Sequence, residues 1–491
     1  MLEPVSGAKW DFQKAAHLLN RAGFGGTPSE IEKLAVLGPA KAVASLVDYE
    51  ETPDPAVDPA WARPDPERAE KLRAARMAGE EERRKVQREY QQQERRQAVA
   101  LRGWWLQRMA RGPRPFQEKM VLFWHGHFAT SVQKVRDPYL MWRQNELFRR
   151  LATGHWPALL VAVARDPAML VWLDQARSRK EHPNENFARE VMELFTLGEG
   201  HYMENDIAEG ARALTGWSYD PAEQSFVERP AWHDRGEKVI FGQRRNFDGE
   251  DFLKLIVAQP QAARFITAKL WNFFAGVEPS PDLGAALAAR FRDGGQNFKP
   301  LLRAMFLSEE FYAPSLLRNQ VKSPAQWLAG SVRLLERELP PPFVCFNLTR
   351  NLGQDLFAPP NVKGWDGGLS WITTNTLLAR YNEAAVLVEG SLPGLAVAAQ
   401  ANRPNPDRPA GPRPQGARVG GVDVEKLFNA QERSDKDLLV VALERRLLQS
   451  KLKPKQEKVL RDYLAGEGGL HRQVIRNAIR LVMSTPEYQL C

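Results

Sequence analysis

A mainly α, multi-helical chain with one large core, a long N-terminal arm helix and at most a small β-hairpin is the fold the sequence predicts. Three observations support it. Apolar residues recur at helical spacing through most of the chain, while the strict alternation of a half-buried strand is scarce. Gly and Pro fall in short breaks between the periodic stretches, as tight helix connections require. Residues 67–111 contain almost no helix breaker apart from Gly79 and Gly103 and are dense in Ala, Arg, Glu and Gln, all good helix formers.

Taken in order, residues 1–52 read as a module of short helices. Phe12–Ala22 is periodic, Gly23 to Gly26 break it, and Thr27-Pro-Ser-Glu30 restarts a helix with a cap and a first-turn acid. Residues 53–111 form a Pro-rich connection followed by the charged arm helix. The first part of that helix is polar almost all round, which suits a projecting element held by i,i+4 charge pairs or an arm that meets a partner. From Ala100 onward Trp104, Trp105, Leu106 and Met109 take it into the core. Residues 112–400 make the central helical core, with a short strand expected at Val239 to Gly242 beside a turn at Asp234 to Glu237. Residues 401–420, rich in Pro, Asn and Gly, read as a flexible linker, and 421–491 as a last helical segment.

Composition is that of a folding chain, with 43% hydrophobic and 26% charged residues among 491. The net charge of +8 favours anionic partners, yet much of the charge sits in mixed runs such as Glu80 to Lys85, the pattern of a solvated face. Two cysteines, Cys345 and Cys491, are too few for a disulfide framework or a thiolate zinc site. The N-terminus lacks the basic and apolar regions of a signal peptide, and no apolar run is long enough to span a membrane, so a cytoplasmic location is expected.

Four strings carry chemistry. Phe123-Trp-His-Gly-His-Phe128 places His125 and His127 two residues apart, and they converge only if Gly126 breaks the helix, because i and i+2 lie on different faces. As ligands or an acid/base pair they suit a borderline metal or a reaction near neutral pH; as buried rings they are hydrogen-bonded to backbone. The string from Asn184 to Gly198 has a cap at one end and a glycine stop at the other. Asn186, Glu190 and Glu193 share one face of that helix, as metal ligands, as an acid beside a base, or as partners of arginines. Asp174 precedes them, and Asp206, Glu209 and Arg212 follow on the next helix.

His233, Asp234 and Lys238 form the third string, in a turn from which side chains can reach a ligand. Residues 357–371 are the fourth, a Pro- and Gly-rich loop whose Trp365 and Trp371 offer flat apolar platforms or wrap the core. The assigned roles are therefore metal ligation by His125, His127, Glu190 and Glu193, catalysis by Glu190, His233 and Asp234, and ligand binding by Asn184, Asn186, Lys238, Trp365 and Trp371. A phosphate-binding loop, a dinucleotide fingerprint, a nucleophile elbow, a His-Glu-x-x-His zinc motif, a helix-turn-helix and a zinc finger are all missing, which sets those classes aside.

These strings, with Leu19 to Gly25, Ala213-Leu-Thr-Gly-Trp217 and Ser484 to Gln489, occur in one order from residue 17 to the C-terminus. In this the chain resembles the bacterial "domain of unknown function 1800" family over nearly its whole length. The resemblance implies kinship without chemistry. It also implies export in many relatives, against the missing signal here, and a gene neighbour of the "domain of unknown function 1501" family, similar to phosphatases and sulfatases, as a protein partner.

Three functions follow as expectations. The first is a metal-assisted hydrolytic or oxidative enzyme using a divalent metal. The second is a noncatalytic scaffold or maturation partner of the neighbour protein. The third, which the mixed charge disfavours, is nonspecific nucleic-acid binding through the Arg-rich arm.

Overall fold

Capping chemistry sets the helix boundaries in the computed structural model, which describes residues 1–390 and 420–491. All but the last residue of the linker expected at 401–420 lies outside the described residues. The first helix, α1 (Phe12–Ala22), starts where Asp11 accepts from the Lys14 amide. Before α2 (Pro28–Val47), Thr27 and Glu30 exchange side-chain and backbone hydrogen bonds at 2.7 and 3.3 Å, the reciprocal cap that the Thr-Pro-Ser-Glu string predicts. Pro39 kinks α2 behind Gly38, where the backbone leaves helical geometry.

The described residues divide into two compact units, each assembled from separated stretches of chain, whereas the sequence suggested one core. The first comprises Met1–Lys9, Pro39–Leu316 and Asp355–Asp366. It contains α3 (Glu67–Met77), α4 (Glu80–Arg111), α5 (Pro115–His127), α6 (Val132–Val135), α7 (Pro138–Arg150), α8 (Trp156–Ala164) and α9 (Pro167–Trp172). These are followed by α10 (Glu185–Glu190), α11 (Glu204–Ala213), α12 (Gly249–Val257), α13 (Pro260–Ala275), α14 (Pro281–Asp293) and α15 (Phe298–Leu307).

The core of this unit is aromatic. Trp124 of α5 packs on Phe298 at 5.1 Å, Phe128 at 5.7 Å and Trp156 at 6.0 Å between ring centroids. All four rings are buried, each contributing about 1.5–3 kcal/mol through lost water contact.

Two antiparallel hairpins are the only sheets among the described residues: β1 (Trp217–Asp220) with β2 (Ser225–Glu228), and β3 (Lys238–Ile240) with β4 (Gln243–Arg245). The second holds the strand expected at Val239, turned by Phe241 and Gly242, both at positive φ as a two-residue hairpin turn needs. The first hairpin has too little alternation to be read from sequence.

The arm differs from the single long helix expected. Gly79, at φ +114, ends α3, which folds back along α4 so that Arg68 reaches Glu94 near the hairpin's base. Nothing in α4 is buried before Leu101. After that point the helix enters the core, as its Trp and Leu residues predict.

The second unit comprises Trp10–Gly38, Leu317–Gln354 and Gly367–Cys491. Within it α16 (Pro324–Leu334) is buried almost throughout and packs on α17 (Pro342–Asn351), while α18 (Thr374–Glu389) packs on the amphipathic helix Arg472–Met483. Its buried Tyr488 hydroxyl bonds Ser331 at 2.6 Å.

Candidate functional site

No helix break brings His125 and His127 together. The α5 helix runs through Gly126, so the two imidazoles leave it roughly 200° apart, and each enters a different buried network.

His125, only 2% exposed, is ringed by Trp105, Phe148 and Phe357 at centroid distances of 4.7–5.0 Å. Its Nε2 lies 3.0 Å from the Asn145 amide nitrogen, so the ring nitrogen accepts. The Asn145 carbonyl in turn accepts from Arg149 at 2.6 Å. Arg149 and Arg108 then converge on the buried Glu118 carboxylate, with Nε–Oε1 distances of 2.7 Å each, and the Trp105 indole donates to it at 3.0 Å. Burial pushes the Glu118 carboxyl up, but the guanidinium groups of Arg149 and Arg108 outweigh it and hold the carboxyl below its usual range. Burial, helped by the Arg149 charge, drops His125 to about 3, so this imidazole is neutral near pH 7.

His127 faces the other way and meets the Asn184-to-Gly198 segment through its backbone rather than its carboxylates. The segment begins as expected, with Asn184 accepting from the Phe187 amide and donating to Leu173 O at 2.8 Å. After Glu190 it widens into a π-helix over Val191–Leu197, which Gly198 ends at φ +84. His127 Nε2 donates to Phe195 O at 3.0 Å, leaving Nδ1 to accept from the Lys269 ammonium at 3.5 Å, and Lys269 also donates to Leu194 O at 3.2 Å. Two side chains thus satisfy carbonyls along the wide turn. Burial first, then the Lys269 charge, carries His127 well below its ordinary value. Burial lowers Lys269 to about 8.

Glu190 and Glu193 lie on the outer side of the same segment, and Asn186 is exposed. Glu193 accepts from the Tyr202 hydroxyl at 2.6 Å, while Arg189 forms a bidentate pair with Glu204 at 2.7–2.8 Å. Burial and the neighbouring Glu193 raise the Glu190 carboxyl. The expected quartet of His125, His127, Glu190 and Glu193 therefore does not converge. Among the described residues no three His, Cys, Asp or Glu side chains are grouped to hold a metal ion.

The turn at 232–238 is locked rather than open. His233 Nδ1 donates to Thr215 O at 2.9 Å, and the Thr215 hydroxyl accepts from the Asp234 amide at 2.8 Å. Arg212 of α11 grips the Asp234 carboxylate at 2.8 Å, which keeps that carboxyl below its usual range. The buried Lys238 ammonium donates to Asp234 O at 2.7 Å, Gly236 O at 3.0 Å and Asn246 Oδ1 at 3.3 Å. Glu209 and Asp206, also on α11, accept from the Val239 and Phe241 amides and tie the second hairpin to the helix. Gly216 approaches so closely that a Cβ would lie 2.8 Å from Arg229 O, at φ +87.

The two indoles of the loop from Phe357 to Trp371 fall in different units: Trp365, in the first, is half-buried, and Trp371, in the second, is 7% exposed and packed beside Gly353. What the loop does supply is Phe357 against His125. It also places Gly364 against the end of α5, where a Cβ would collide with Gly126 O. Asn145, Arg149, Glu118 and Lys269 are the residues that sequence reasoning missed. Glu118 and Arg149 sit in runs of ordinary helix formers, and nothing local distinguishes them from surface charges.

Fold and site together define a mainly helical protein whose distinctive polar strings are hydrogen-bonded into its interior. The chain belongs to the family described as "Protein of unknown function (DUF1800)", whose model matches residues 17–490. No curated protein and no solved structure matches it. No helix among the described residues is long and apolar enough to cross a membrane.

Proposed function

We propose that the protein is a noncatalytic helical scaffold that binds a protein partner through the α3–α4 hairpin, with the phosphatase/sulfatase-like "domain of unknown function 1501" protein as that partner. The observation that carries this reading is the hairpin's exposure. From Glu80 to Ala100 the longest helix among the described residues buries no residue, and it is held by ion pairs along its own turns such as Arg84–Glu80. A helix polar on every face has little to gain from its own fold, and its mixed charge suits a complementary protein surface better than a uniformly charged polymer. Residues 67–96 hold ten basic and seven acidic side chains.

Co-expression of the full chain with the neighbour protein tests it. The reading expects co-purification, lost in an Arg84→Glu/Arg88→Glu variant whose melting temperature is unchanged. Two separately migrating proteins would overturn it.

A metal-assisted reaction is the second reading, supported by the raised Glu190 carboxyl beside Glu193, a pair that an added cation would relieve. In it Glu190 works as acid or base. Elemental analysis of protein purified without added metal checks it: a stoichiometric divalent ion lost in Glu190→Gln/Glu193→Gln supports it, and metal-free protein unaffected by added metal sinks it.

A further inference from the structure

At the base of the arm hairpin the first unit holds a cleft of about 500 Å³ with a mixed lining that no sequence motif announced. Trp61, Tyr90 and Tyr139 give it aromatic walls, and Gln93, Gln97 and Gln224 give it amides. Its charges run against those of the chain. Asp65, Glu67, Glu94 and Asp137 outnumber Arg63 and Arg68 in a protein of net charge +8.

One guanidinium already sits against this lining. Arg68, from the first turn of α3, bonds Glu94, Asp137 Oδ2 at 3.4 Å and the Arg136 carbonyl at 3.3 Å, and its Cζ lies 5.4 Å from the centre of the Tyr90 ring. Two carboxylates, a carbonyl and an aromatic face are the complement of a planar cation. Gln224 orients the same Asp137 oxygen, donating to it at 2.7 Å, while Asp137 Oδ1 caps α7 through the Tyr139 amide at 3.0 Å.

We propose that this cleft binds a small organic cation carrying guanidinium or ammonium groups, and that Arg68 occupies its inner subsite in the free protein.

Two further observations carry it. Burial, together with the repulsion between the two groups, leaves the Glu94 carboxyl above its ordinary value, and burial does the same for Asp137 despite the guanidinium between them. A bound cation would favour the ionised form of both. The helix that delivers Arg68 is also loosely anchored, since Ala75 is the single buried residue of α3. A ligand with cationic groups at both ends can replace the Arg68 contact at Glu94 and Asp137 and reach Asp65 and Glu67 along the cleft. The cleft shares Glu67, Arg68, Tyr90 and Glu94 with the arm hairpin, but its test reads affinity for a small cation and not co-purification of a protein, so the two readings fail separately.

Titration calorimetry of the full-length protein with agmatine, which carries one guanidinium and one amine, tests it. Binding is expected to tighten at least tenfold in Arg68→Ala, where the competing guanidinium is gone, and to weaken at least tenfold in Arg68→Ala/Glu94→Gln. Asp137→Asn, in which the cap is preserved, is expected to weaken binding as well, and affinity should rise with pH as the two carboxyls ionise. Agmatine that binds Arg68→Ala no more tightly than the unaltered protein, or binds Arg68→Ala/Glu94→Gln as well as Arg68→Ala, overturns the proposal. So does a neutral analogue, butanol, that binds as well as agmatine.

Discussion

The helices α4 and α5 are neighbours in sequence and opposites in physics. The first twenty-one residues of α4, Glu80 to Ala100, bury nothing, and their charges meet water and each other. In α5 every residue from Phe116 to His127 except Gly126 is buried, including Glu118, Lys119 and both histidines. The same residue types thus do different work. An arginine such as Arg84 in the arm adds a pair worth at most about 1 kcal/mol. Arg149 holds a buried carboxylate whose desolvation is repaid only while its partners stay in place. Charged residues therefore tolerate change in one region and forbid it in the other.

The most severe test of that contrast is Glu118→Gln. It leaves Arg108 and Arg149 without their shared carboxylate, and a loss of about 3–5 kcal/mol is expected in urea unfolding of the first unit. A loss under about 0.5 kcal/mol, the range of a surface change, would mean the network is not buried as described.

Next in size is His127→Phe, which keeps the ring volume but removes the donor to Phe195 O and the acceptor for Lys269. We expect about 1–3 kcal/mol, together with faster amide exchange over 191–198, where the π-helix would lose its support. Unchanged exchange there would separate the histidine from the π-helix.

A pH effect sharpens the comparison further. Lys269 titrates near 8 in the folded protein, below its unfolded value of about 10.4. The unfolded chain then binds more protons between those limits, so stability rises with pH from about 8 to 10. Lys322, buried in the second unit and lowered to about 7, adds a slope of the same sign. The part that disappears in Lys269→Met belongs to the His127 network; an identical slope in that variant would assign all of it elsewhere.

The smallest effect is expected in the arm. Arg84→Glu/Arg88→Glu should change stability by no more than about 0.5 kcal/mol, with a larger loss showing that the hairpin packs on more than itself.

Much of the fold was legible in the sequence because it rests on local chemistry. The mainly helical class, the Thr27 and Asn184 caps, the Gly198 stop and the entry of α4 into the core at Ala100 all follow from side chains within a turn or two of the backbone they satisfy. The strand at Val239 was legible for the same reason, while the fold-back of α3 turned on Gly79, whose left-handed backbone a helix-forming segment conceals. What tertiary structure alone decided is where each polar group finds its partner. His125 or His127 was expected to face the Asn186, Glu190 and Glu193 side chains; His127 reaches that segment but meets a backbone carbonyl that the π-turn presents. Glu118 finds Arg149 31 residues away and Arg68 finds Asp137 69 residues away, and no periodicity encodes such pairings. Whether a charge is a solvated surface group or a buried partner depends on the dielectric around it, and that is set by chain brought from elsewhere.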